Sequence, residues 1–228
     1  MTPSAPPPIR VAIAGATGYA GQELLRLLAR HPGVRLTAAM SSGGETRRLP
    51  ALARIWDGEV RPLDVEALGR ENDIVFLCLP EAAAARVGAE LAGSGIRVID
   101  LSGAFRLRDE ELRNRWYPDT AALPDGTLYA LPERSRAGLP GARLVSCPGC
   151  YPTAALLSLL PLADAGLLAG DVIIDAKSGV SGAGKAPTDR THFSENHGSA
   201  AAYGVFSHRH AAEMEQALDR AVTFVPHL

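Results

Sequence analysis

The chain has 228 residues, 46% of them apolar and 21% charged, with a formal charge of −2 at pH 7. That balance is ordinary for a soluble globular protein, and it gives no electrostatic case for nucleic acid or an anionic membrane as partner. Three cysteines, an odd number, do not make a secreted disulfide scaffold, and no apolar run reaches the roughly 20 residues of a membrane span, so a cytoplasmic protein is expected.

Residues 1–8 are Pro-rich, with no basic start and no apolar signal core, and they read as a short disordered lead; residues 1–9 are set apart from the folded chain. Residues 10–14 form a short apolar β run. It enters Gly15-Ala16-Thr17-Gly18-Tyr19-Ala20-Gly21, and a helix over residues 22–30 follows with leucines at 24, 25, 27 and 28. Strand, glycine turn and helix in that order open a dinucleotide-binding βαβ unit, in which glycines let a pyrophosphate approach the backbone at the helix N-terminus. Three glycines alone also fit an ordinary tight turn. The G-x-x-G-x-x-G spacing is closer to the phosphate loop of NADP-linked reductases than to the NAD fingerprint, and it marks Gly15, Thr17, Gly18, Tyr19, Ala20 and Gly21 as cofactor-binding.

Residues 34–40 read as the second strand. An NAD site places Asp or Glu near its end to hold the ribose 2′-hydroxyl. Here Ser41, Ser42, Gly43 and Gly44 follow instead, with Arg47 and Arg48 beyond. Ser41, Ser42 and Arg47 suit a 2′-phosphate, which points to NADP, although two arginines in a solvated loop read alike. Residues 73–79 form a continuous apolar run, the pattern of a central parallel strand with Cys78 as plain core. A helix over 82–91 and a strand over 97–101 continue the β-α alternation of a doubly wound parallel sheet.

Asp100 to Leu107 lies where that strand meets the carboxyl edge of the sheet, the edge at which open α/β sheets bind ligands. Arg106 there suits a phosphate or carboxylate, or a surface ion pair. Residues 109–140 are polar, with one firm helix at 110–116, and a strand over 143–146 delivers Ser146-Cys147-Pro148-Gly149-Cys150-Tyr151-Pro152-Thr153 to an apolar helix. A thiol at a helix start meets backbone N–H donors and the positive end of the dipole, so Cys150 is the candidate nucleophile. A buried structural cysteine and a Cys147–Cys150 redox pair are the alternatives.

A strand over 172–176 leads to Lys177-Ser178-Gly179-Val180-Ser181-Gly182-Ala183-Gly184-Lys185, small residues against which a flat ligand fits; the spacing is not that of a P-loop. His192 and His197 sit in a polar stretch. His208-Arg209-His210 precedes a helix over 211–221 carrying Glu213 and Glu215. Two histidines at i and i+2 without a third ligand make a poor zinc pattern, so no metal is expected and a proton-transfer partner for the cysteine is the better use. A strand starts at 223 and the sequence stops inside it, as in a fragment.

These motifs, in this order, resemble the N-acetyl-gamma-glutamyl-phosphate reductases within the semialdehyde dehydrogenases. The resemblance runs from about Arg10 to the end. It is carried by the glycine loop with Leu24 to Leu28 and His31-Pro32, by Asp100-Leu101-Ser102 and Phe105-Arg106-Leu107, and by Tyr129 to Glu133. It continues through Pro148 to Thr153, Lys177 to Gly184, Tyr203, His208-Arg209-His210, Glu213 and Phe224 to Leu228. It implies a Rossmann NADP domain over 10–149 and an α+β substrate domain over 150–228, incomplete here because the family continues for about a third of its length. It implies Cys150 as nucleophile with His208 and His210 beside it, and an acyl phosphate reduced by NADPH through a thioester. Ser181, Gly182 and Gly184 are implied at the cofactor, Ser102, Arg106, Lys177 and Glu213 at the substrate, and a homo-oligomer, dimer or tetramer, as the full-length state.

Two departures stand out. The family usually has asparagine where Cys147 stands, and Ala-Asp where Gly103-Ala104 stand, which removes a possible partner for Arg106. Two other functions fit the same motifs: the same chemistry on an aminoadipyl phosphate one methylene longer, and a non-catalytic NADP-sensing protein. The sensor would have no use for Cys150, His208 and His210 together.

Overall fold

The computed structural model describes residues 6–228. Residues 1–5 of the expected lead lie outside the described residues, and residues 6–8 carry no regular secondary structure. The chain divides into two compact units: the described residues up to 105 together with Asp119–Cys147, and Arg106–Pro118 together with Pro148–Leu228. The stretch 106–118, expected within the nucleotide-binding half, sorts with the second unit because Leu107, Leu112, Trp116 and Tyr117 pack around Ala212.

In the first unit β1 (Ile9–Ala14), α1 (Tyr19–Leu28), β2 (Val34–Ser41), β3 (Arg47–Arg48), β4 (Glu59–Pro62), α2 (Val65–Glu71), β5 (Ile74–Leu77), α3 (Glu81–Gly93) and β6 (Arg97–Asp100) follow one another. After α4 (Glu110–Trp116) of the second unit come β7 (Thr127–Tyr129), α5 (Pro132–Ser135) and β8 (Leu144–Ser146). The eight strands lie in the order β3-β4-β2-β1-β5-β6-β8-β7, parallel except for the antiparallel β3–β4 pair.

Alternation along the strands divides the core between the two sheet faces. Ile13, Ala39 and Val60 face Leu25 of α1. Ala12, Ala14, Met40, Val75, Leu77 and Val98 face Leu68 of α2 and Ala84, Val87 and Leu91 of α3. A parallel sheet covered on both faces needs strands apolar on both sides, which is why β1 and β5 read as unbroken apolar runs. The chain leaves β1 for β2 on one side and β5 lies on the other, so the strand order reverses at β1, the crevice where doubly wound sheets take nucleotides.

The second unit holds α4, α6 (Cys150–Asp164), β9 (Val172–Lys177), α7 (Phe193–Asn196), α8 (His210–Leu218) and β10 (Val222–His227). β9 and β10 run parallel in register from Val172 opposite Val222 to Lys177 opposite His227. Parallel neighbours need a crossover, and α8 lies in the connection between them. α6 packs on α8, with Tyr151, Leu156 and Leu160 buried on one helix and Met214 and Leu218 on the other. Among the described residues no helix is long and apolar enough to cross a membrane.

Candidate active site

The chain ends β8 at Ser146, turns through Pro148-Gly149, and starts α6 with Cys150 as its first helical residue and Gly149 as its cap. The Gly149 carbonyl accepts from the Thr153 amide and the Thr153 hydroxyl, both at 2.8 Å, which fixes the first turn. Cys150 is exposed at the N-terminal end of the helix. Cys78 is different: burial first, then the nearby negative charge of Asp100 and Cys147, pushes its thiol up to about 12. Neither Cys147 nor Cys150 is in a disulfide in this structure.

α8 supplies most of what surrounds the cap. Glu213, with no exposed surface, accepts from the Gly149 amide at 2.9 Å through Oε2 and from Arg106 Nη1 at 3.0 Å through Oε1. His210 Nε2 lies 3.5 Å from the same guanidinium nitrogen and 3.8 Å from Glu213 Oε1. A Cβ on Gly149 would stand 2.5 Å from His210 Nε2 and 2.9 Å from Arg106 Nη1. Glycine is required here by crowding, since its φ of −63° is open to any residue.

Burial pushes His210 down to about 2, helped by the positive charges of Arg106, His208 and Arg209. His208, half-buried, is held below the usual imidazole range by burial and then by Arg209. Its Nδ1 accepts from the His210 amide at 3.1 Å, and the two rings meet edge to face at 4.6 Å. Tyr151, Tyr203 and Phe224 wall the pair, each 5.4 to 5.9 Å from the His208 ring. Tyr203 donates to the Tyr151 hydroxyl at 3.3 Å and Tyr151 donates to the His227 carbonyl at 2.7 Å. Burial first, then the bond to Tyr151, pushes the Tyr203 phenol up.

The segment bearing Arg106 is clamped by residues whose role the sequence did not reveal. Gln216 donates to the Arg106 carbonyl at 3.0 Å and accepts from the Arg108 amide at 2.7 Å, while buried Arg113 donates to the carbonyls of Leu107 and Arg108. α8 thus holds both the backbone and the guanidinium of the arginine segment. The only advance signal for Gln216 was its place one turn beyond Glu213 on a helix that starts with a histidine.

Several expected site residues are placed otherwise. Arg106 is 6% exposed and ion-paired with Glu213, which stands in for the missing Asp partner. Glu213, expected at the substrate, has both oxygens engaged below the cap. Ser102 lies in the first unit, donating to Asp100 Oδ2 at 2.8 Å and accepting from the Ala104 amide at 3.1 Å, so it shapes its own turn. Lys177 is exposed and pairs with Asp175 at 2.6 Å. Ser181 and Gly182 sit in an exposed 3₁₀ turn (Val180–Ala183) that Gly184 closes at φ +86°. His210 begins α8 instead of preceding it, and the helix ends at Leu218.

In the first unit Gly15 turns at φ +91°, and an added Cβ would overlap the Cys78 carbonyl oxygen; one on Gly21 would overlap the Gly15 carbonyl oxygen. The loop therefore packs helix, turn and strand at backbone distance, with Gly18 capping α1 and with Tyr19 and Ala20 exposed. The Gln22 side chain donates through Nε2 to the Thr17 carbonyl at 3.0 Å. Ser42 and Arg47 are exposed, and Ser41 is buried at the end of β2 with no partner for its hydroxyl among the described residues.

Residues 10–142 match the semialdehyde dehydrogenase NAD binding domain, and residues 150–228 the semialdehyde dehydrogenase dimerisation domain. The chain belongs to the semialdehyde dehydrogenase family. Within it, an N-acetyl-gamma-glutamyl-phosphate reductase of Halorhodospira halophila is 47% identical over 96% of this chain and 68% of its own length. Those of Desulforudis audaxviator and Brevibacillus brevis are 44% and 40% identical over the same shares. The fold is that of aspartate semialdehyde dehydrogenase II from Vibrio cholerae, at TM-score 0.68 and 20% identity over 96% of this chain and 70% of that one. The Candida albicans aspartate semialdehyde dehydrogenase with NADP gives 0.66 at 14% identity over 96% of this chain and 67% of its own. In this semialdehyde dehydrogenase the first unit is a nicotinamide dinucleotide-binding domain, and the second carries the Cys150 turn and the histidine pair.

Proposed function

We propose that the protein reduces N-acetyl-gamma-glutamyl phosphate to its semialdehyde with NADPH, releasing phosphate, as a cytoplasmic homo-oligomer, dimer or tetramer, in arginine biosynthesis. The observation that carries this reading is the cap of α6: an exposed thiol at a helix start whose preceding residue is packed against an imidazole. The names of the relatives supply the substrate, and the match to a dimerisation domain supports the oligomer.

Cys150 Sγ attacks the acyl carbonyl, phosphate departs, and a thioester remains on the chain, which divides one hard reduction into two easier steps. His210 is the imidazole next to the nucleophile's cap and enters neutral, as a group that accepts the thiol proton must. Arriving negative charge, thiolate or phosphate, offsets the cations that hold its pKa down. The same imidazole returns a proton to the oxyanion and recovers it when the aldehyde leaves, with His208 fixing its backbone.

The nucleotide-binding features fit a dinucleotide carrying a 2′-phosphate. Gly15 and Gly21 leave backbone where side chains would stand, the partnerless Ser41 hydroxyl awaits an acceptor or donor, and Arg47 is exposed beyond it with no acid at the strand end. A bound nicotinamide supplies the hydride for the acyl group. The reverse reaction is the test: N-acetylglutamate semialdehyde, NADP and phosphate should yield NADPH. A clear preference for the aldehyde one methylene longer would replace the substrate, and no turnover by protein that binds NADP would favour the sensor.

A further inference from the structure

Glu213 does more than fill the core between α6 and α8. A fully buried carboxylate is costly unless both oxygens are satisfied, and here the two satisfying groups are a main-chain donor at the start of the nucleophile helix and a guanidinium from a separate segment. The Gly149 amide is one of the orphan donors of α6, and Gly149 immediately precedes Cys150. Arg106 stands close enough to Gly149 to touch a Cβ there, and its segment is anchored on the same helix by Gln216. Arg106 and His210 are among the charged and titratable groups facing Glu213.

We propose that Glu213 is a positioning residue: by bridging the Gly149 amide to Arg106 it fixes where the Cys150 sulfur stands and how much positive charge it experiences. With the bridge intact, Arg106 is matched by a carboxylate. Without the carboxylate, the guanidinium loses that counter-charge beside the same turn, and a thiolate there meets more positive charge. An amide cannot replace the bridge. One of its ends accepts and the other donates, so a glutamine satisfies the Gly149 amide or Arg106 but not both.

The inference rests on Cys150 as nucleophile, yet its test needs neither substrate nor cofactor, so it can fail while the reductase reading stands. Alkylation of Cys150 by iodoacetamide, followed across pH by mass spectrometry of its peptide in the full chain, reads the thiol directly. Glu213→Gln is expected to move the midpoint acidward by about one pH unit, roughly a tenfold gain in thiolate below the midpoint. Glu213→Asp, which keeps the charge, is expected to stay near wild type in midpoint. A Glu213→Gln protein with native circular dichroism and an unmoved midpoint overturns the proposal. Should that variant not fold, Arg106→Gln carries the test: the midpoint must rise, because the carboxylate then keeps its negative charge beside the turn without the guanidinium, and no movement overturns it equally.

Discussion

The His210 amide donates to His208 Nδ1 at 3.1 Å, which leaves the neutral His208 with its proton on Nε2 and ties the start of α8 to the ring beside it. That bond holds His210 in a crowded place where burial, Arg106, His208 and Arg209 keep it uncharged down to about 2. An unfolded chain would protonate the same residue near 6.5. The folded state therefore binds fewer protons between those values, and stability is retained above 6.5 and lost as pH falls below it. Urea unfolding should show His210 costing about 2 kcal/mol between pH 7 and pH 5, and that part of the slope should vanish in His210→Asn. An equal slope in both proteins would show that the imidazole charges without penalty.

Crowding at Gly149 gives a prediction of a different kind. Alanine suits the backbone there, with φ at −63°, so any effect must come from the methyl group against His210 Nε2 at 2.5 Å and Arg106 Nη1 at 2.9 Å. Gly149→Ala is expected to lose about 1–3 kcal/mol of stability through overpacking. Displacing an imidazole by about 1 Å is enough to lower kcat by about a hundredfold. NADP affinity, measured by fluorescence titration, should be unchanged.

Long apolar runs and the glycine loop made β1, α1, β2, β5, α3 and β6 legible, because burial on both sheet faces and a βα turn leave marks in a single sequence. β3, β4, β7, α2 and α5 were not: they are two to seven residues long, and their pairing is set by the neighbouring strand instead of by a local period. At the candidate site, turn chemistry singled out Cys150, whereas His208 and His210 by themselves also fitted ordinary surface residues and were tied to Cys150 through the family resemblance. The burial of Arg106, its pairing with Glu213 and its clamp by Gln216 were not, since each depends on residues more than a hundred positions apart meeting in the fold. Lys177 likewise found an exposed partner, Asp175, on its own strand.

The cysteines differ enough in environment to be told apart in one experiment. Cys150 is exposed at a helix start, whereas the Cys78 thiol is buried and pushed up to about 12. One equivalent of iodoacetamide at pH 7.5 should label Cys150 and leave Cys78 untouched until the chain is unfolded in denaturant. Cys150→Ser should abolish both the labelling and the reductase activity while leaving NADP binding intact. Equal labelling of the two thiols in the folded protein would remove the physical basis for Cys150 as nucleophile.

The proposed preference for NADP rests on the end of β2, where the buried Ser41 hydroxyl has no partner among the described residues and Arg47 lies exposed on β3. Arg48 beside it is engaged with Asp57 at 2.6 Å, whereas Arg47 forms no ion pair with any described residue, so Arg47 is the cation available to a 2′-phosphate. A guanidinium–phosphate pair at an exposed site adds about 1–2 kcal/mol, so Arg47→Glu should raise the Kd for NADPH roughly tenfold or more and leave NADH little changed. Ser41→Asp should go further, since a carboxylate at that strand end repels the phosphate and accepts from a free ribose 2′-hydroxyl. Titrations of both variants with NADPH and NADH decide the matter: a ratio of affinities that does not move would place the specificity elsewhere in the loop.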